Sequence, residues 1–98
     1  MIKKQAIKKS GEVKVTFTLP AGHPHGPSSV VGDFNGWDPL KNPFAKRSNG
    51  TFSTSVTLGA GERHHFRYLG DGNTWFDEPE ADGHESTGHG THNCVLLT

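Results

Sequence analysis

The side chains of this 98-residue chain best equipped for chemistry are seven histidines, the lone Cys94 and a run of carboxylates near the C-terminus. His84, His89 and His92 bring nitrogen donors close to the Cys94 sulfur. Compact metal sites use Cys-x2-Cys or His-x3-His pairs on rigid elements, and the Gly88-His89-Gly90 stretch offers neither. His64 and His65 are neighbours on a strand-like run, so they face opposite sides and cannot chelate together. No metal or other cofactor is expected. Asp77, Glu78, Glu80, Asp82 and Glu85 are numerous enough for glycoside hydrolysis, which needs two carboxylates held across a cleft. They fall in a glycine-rich acidic segment read here as a solvated loop. No Gly-x-Ser-x-Gly elbow occurs, and Gly70-Asp71-Gly72 is too short to cradle phosphate and leads to Trp75 rather than to a helix. The chain is therefore expected not to be an enzyme. Trp37 and Trp75 remain, each flanking a polar turn, where an indole either packs beneath the turn or lies flat on the surface.

The elements that must position these residues are short strands. Gly 13 and Pro 6 supply frequent reversals, and with 31% hydrophobic residues the core must be small, which disfavours a helical bundle. Glu12 to Leu19 alternates Val13, Val15, Phe17 and Leu19 with polar residues, the pattern of a half-buried strand. Pro20 to Pro27 packs three prolines and two glycines into eight residues and reads as a surface loop. Ser28 to Gly32 reads as a second strand, closed by Asp33-Phe34-Asn35-Gly36-Trp37-Asp38-Pro39. Phe44 reads as an anchor in a polar connector. Phe52, Thr54, Val56 and Leu58 share one strand face, and in Glu62 to Leu69 an inward Phe66 and Tyr68 put Arg67 outside. Gly70-Asp71-Gly72-Asn73 is a hairpin signal before Thr74-Trp75-Phe76, and Asn93 to Leu97 is β-compatible. About six strands make an all-β, antiparallel sandwich of residues 11–98, preceded by a flexible basic segment, 1–10.

Val30-Val31-Gly32-Asp33-Phe34-Asn35-Gly36-Trp37-Asp38-Pro39, then Phe66-Arg67-Tyr68-Leu69, then Asp71-Gly72 ahead of Trp75, form a pattern that resembles carbohydrate-binding module family 48. That family includes the early-set domain of isoamylases and branching enzymes and the glycogen-binding domain of the AMP-activated protein kinase β subunit. The resemblance runs from Val13 to the C-terminus, and Met1-Ile2-Lys3-Lys4 is similar to the start of small free-standing bacterial members. It implies an immunoglobulin-like sandwich that binds α-1,4-linked glucan such as glycogen, starch or maltooligosaccharide. It implies Trp37 and Trp75 as stacking platforms, Arg67 in the place of a family Lys, and Thr91 and Asn93 as end-loop contacts. His89 stands where kinase-type domains carry a Leu that reaches into the glucan, and one extra residue separates Arg67 from Trp75.

The chemistry suits that implication. The axial C–H bonds of glucose form an apolar patch that can lie on an indole, and the ring hydroxyls need donors and acceptors such as Arg67, Thr91 and Asn93. Taken alone, Arg67 is a solvated strand residue, and Thr91 and Asn93 are loop residues bonding their own backbone. An uncharged ligand matches ten Lys and Arg balanced by ten Asp and Glu, a balance that also removes the main support for nucleic-acid binding. No apolar run spans a membrane, no secretory signal is legible, and a single cysteine fits a cytoplasmic setting. A glycogen-metabolising enzyme is the expected companion. The alternative is a regulatory module of the same fold that docks on such an enzyme through the aromatic face and binds no sugar.

Overall fold

The computed structural model describes residues 1–88 and 91–98. Its strands, in chain order, are β1 (Ile2–Ile7), β2 (Glu12–Leu19), β3 (Ser29–Gly32), β4 (Ala45–Lys46), β5 (Phe52–Gly59), β6 (Arg63–Gly70), β7 (Thr74–Phe76), β8 (Gly83–Ser86) and β9 (His92–Leu97). A 3-10 turn at Asp71–Asn73 joins β6 to β7. One antiparallel sheet has the order β1-β2-β5-β4, and the other β3-β6-β9-β8 with β7 added against β6. The chain is thus an all-β antiparallel sandwich, as its alternating runs imply.

Alternation sets the core. In β2 the side chains of Val13, Val15, Phe17 and Leu19 are buried while Glu12 and Lys14 are exposed. In β6 the buried pair is Phe66 and Tyr68. The two sheets meet where Phe17 packs on Phe66, ring centroids 5.2 Å apart, and edge-on against Tyr68 at 6.2 Å. Phe44 closes the same cluster, 5.4 Å from Tyr68.

Three expectations are corrected. Residues 1–10 do not form a free arm: Ile2–Ile7 pairs along β2, from Ile2 opposite Phe17 to Ile7 opposite Glu12. An edge strand is held by backbone hydrogen bonds, which need no apolar side chains, and Ile2 also packs on the core. Strands number nine rather than about six among the described residues, because β1, β4 and β8 lack the alternation that betrays a strand. The acidic segment is no simple solvated loop either, since Gly83–Ser86 pairs with β9 and Glu78 is buried.

Candidate functional site

The outer face of the β3-β6-β9-β8 sheet follows from β6. With Phe66 and Tyr68 inward, His65, Arg67 and Leu69 point out. Leu69 lies opposite Trp75 of β7 on one side and Ser29 of β3 on the other, so the indole shares this face. His65 lies opposite Val95, and Asn93, two residues earlier in β9, is on the same side and faces Glu85 of β8.

Trp75 is 46% exposed. The Arg67 guanidinium carbon stands over its ring, 5.3 Å from the centroid, and Arg67 Nε donates a 2.9 Å hydrogen bond to Asp77 Oδ1. This is a cation–π contact that braces the indole from one side. Asn93 is half-buried, and among the described residues its side-chain amide has no hydrogen-bond partner, leaving a donor and an acceptor on the face. Thr91 is exposed on the turn into β9; its hydroxyl lies 2.7 Å from that of Thr87, and its carbonyl accepts the Thr87 N–H. His89 lies outside the described residues.

Trp37 stands apart from this group, in the turn leaving β3, so that β6 runs between the two indoles. The turn is tightly specified. Asn35, buried, accepts the Gly32 N–H through Oδ1 at 3.0 Å and donates through Nδ2 to the Val30 carbonyl and to Asn42 Oδ1. The Trp37 N–H donates to the Gly32 carbonyl at 2.9 Å. A Cβ on Gly32 would sit 2.6 Å from the His65 carbonyl oxygen, so only glycine fits beneath the turn. Gly36 and Trp37 both take positive φ, 67° and 59°, which lifts the indole outward to 38% exposure. The structural weight of Asn35 was missed in the sequence, where it reads as half of a turn-favouring Asn-Gly pair.

The carboxylates are mostly committed to cations. Asp77 pairs with Arg67, Asp82 with Lys4 at 2.6 Å, and Glu85 with Arg63 and with His65 Nε2 at 2.9 Å. The Lys4 ammonium and the Leu97 N–H hold the Asp82 carboxyl below its ordinary range, outweighing partial burial. Glu78 accepts from the Tyr68 hydroxyl at 3.0 Å, from the Glu80 N–H at 2.9 Å and from the Met1 ammonium. Burial, reinforced by that carboxylate, pushes the Tyr68 hydroxyl well above its usual value, and burial pushes the Cys94 thiol up to about 11. His64 lies between Asp33 Oδ1 at 2.8 Å and Glu62 Oε1 at 2.7 Å. Partial burial alone would lower its pKa, yet the hydrogen bonds and charges of the two carboxylates raise it. Among the described residues no group of three or more His, Cys, Asp or Glu side chains is placed to hold a metal ion.

An open pocket of about 570 Å³ lies on the inner side of β7, lined by Leu19, His23, His25, Tyr68, Phe76 and Glu78 among others. Its walls are mainly apolar; of the three carboxylates that line it, Glu78 accepts from the Tyr68 hydroxyl, Asp77 pairs with Arg67 and Glu80 is exposed. Among the described residues no helix is long and apolar enough to cross a membrane. Compared with known proteins, the chain matches no family model and none of the curated proteins.

Proposed function

We propose that this protein binds α-1,4-linked glucan on the outer face of the β3-β6-β9-β8 sheet without cleaving it, as an early-set, immunoglobulin-like module. The observation that carries this reading is Trp75, a flat indole left exposed on a sheet face and braced from one side by Arg67. An exposed indole held from one side by a guanidinium presents a flat apolar face on which the C–H patch of a sugar ring can stack. Trp37, held outward by a costly backbone conformation, supplies a second platform across β6. The Asn93 amide, with no partner among the described residues, supplies hydroxyl recognition on the same face as Trp75. Binding without cleavage accords with carboxylates tied into ion pairs rather than set across a cleft. A cytoplasmic setting accords with one buried, unreactive thiol. The companion of such a module is a glycogen-metabolising enzyme.

Titration calorimetry with maltoheptaose, paired with thermal melts, tests the reading. Trp37→Ala and Trp75→Ala should each weaken binding by more than about tenfold, while both remain folded. Arg67→Ala and Asn93→Ala should cost about 1–2 kcal/mol apiece, because water partly replaces each lost hydrogen bond. A wild type that gives no heat with any α-glucan, or folded Trp variants that bind normally, would overturn the proposal in favour of a protein-docking face.

A further inference from the structure

We infer that Asp77 is a positioning residue for the Trp75 platform, acting through Arg67; the inference rests on the glucan-binding reading above. Trp75 lies opposite Leu69 on the face where Arg67 emerges from β6, and Asp77 directly follows the last residue of β7, where its carboxylate reaches Arg67. Arg67 sits between them, its Nε bonded to Asp77 Oδ1 at 2.9 Å and its guanidinium carbon 5.3 Å from the indole centroid. The Arg67 side chain is only 17% exposed and that of Asp77 39%, so the cation is largely covered and its carboxylate partner is the more solvent-exposed of the two.

An arginine without such a partner samples many rotamers, and a ring resting on it would share that freedom. The Asp77 carboxylate removes the freedom at one end, and the stacked guanidinium passes the constraint to the indole. Two consequences bear on sugar binding. One face of Trp75 is occupied by the guanidinium, so the sugar is offered the opposite face. A bare cation behind the ring would also draw π density away from that face and weaken its attraction for C–H groups; the paired carboxylate offsets this field. Arg67 therefore serves as a buttress, with Nε committed to Asp77, in addition to the hydroxyl donor that the family resemblance implies.

The experiment compares wild type, Asp77→Asn, Arg67→Ala and the double variant by maltoheptaose calorimetry and thermal melts. In parallel, acrylamide quenching of Trp75 is read with and without Asp77→Asn in a Trp37→Phe background, where Trp75 is the remaining indole. Asp77→Asn should weaken binding about three- to tenfold, increase quenching of Trp75, and add no further loss when Arg67 is already Ala. Unchanged affinity, unchanged quenching, or an equal loss in the Arg67→Ala background, the mark of a carboxylate that touches sugar directly, would each overturn the proposal. Absence of heat from the wild type would instead overturn the glucan reading, and the quenching comparison alone would then decide whether Asp77 orders the indole.

Discussion

At the scale of single residues, two side chains stand in positions their types do not favour. Trp37 holds φ at 59°, a left-handed conformation that costs a non-glycine residue roughly 1–2 kcal/mol. Trp37→Ala keeps that cost and loses the ring, whereas Trp37→Gly loses the ring and relieves the backbone. Urea unfolding should therefore find Trp37→Gly more stable than Trp37→Ala by about 1 kcal/mol, a reversal of the usual glycine penalty, with neither variant stacking a sugar. Glu78 is the second case, a carboxylate with 1% of its side-chain surface exposed. Glu78→Ala leaves the buried Tyr68 hydroxyl without its acceptor, at a cost of about 1–3 kcal/mol in urea unfolding. Glu80→Ala, two residues on and exposed, should change stability by less than about 0.5 kcal/mol.

At the scale of elements, β1 shows how little a strand need announce itself. Lys3, Lys4 and Gln5 are exposed and break any apolar alternation, yet the six residues of β1 pair in continuous register with β2. Lys4 also reaches Asp82, in the segment leading to β8 of the other sheet, so this edge strand ties the two layers together. Deleting residues 1–7 should lower the melting temperature by more than about 8 °C, as a loss near 2 kcal/mol does in a domain of this size. A truncated protein that melts with the full chain would mean that β1 adds nothing to the sandwich. The hairpin of β6 and β7 lies at the other extreme, because Gly70-Asp71-Gly72-Asn73 announces its turn and the alternation of Phe66 and Tyr68 announces which face Arg67 takes.

For the whole molecule, pH dependence reports on the long-range pairs. Both nitrogens of His64 face carboxylate oxygens, which only accept, so the ring satisfies both contacts only when it is protonated. Its pKa is raised in the fold, so its stabilisation is fully present below the ordinary 6.5 and fades as pH rises through the folded-state value. Asp82 acts at the other end: its lowered pKa gives stabilisation that is complete above 3.8 and fades as pH falls through the folded-state value. His23, lowered by burial and by its neighbour His25, opposes His64 by disfavouring the fold as pH drops below 6.5. Comparing wild type with His64→Gln isolates the first term. Between about pH 6 and pH 8, the melting-temperature advantage of the wild type over His64→Gln should shrink as pH rises, and an advantage constant with pH would refute the imidazolium bridge.

The sequence by itself determined what depends on neighbours along the chain. Period-two alternation marked β2, β5 and β6, glycine- and asparagine-rich turns placed Trp37 and Trp75 at corners, and the inward Phe66 and Tyr68 turned Arg67 outward. Such features are local, because a strand's two faces and a turn's positive φ are set within a few residues. The tertiary structure alone decided which polar groups meet. Lys4 finds Asp82, Asp33 finds His64, Tyr68 finds Glu78 and Arg67 settles between Trp75 and Asp77, pairings made by sheet register and layer packing. A carboxylate carries no mark in sequence of whether it will be solvated, like Glu80, or buried against a hydroxyl, like Glu78, since that depends on what the fold brings to it.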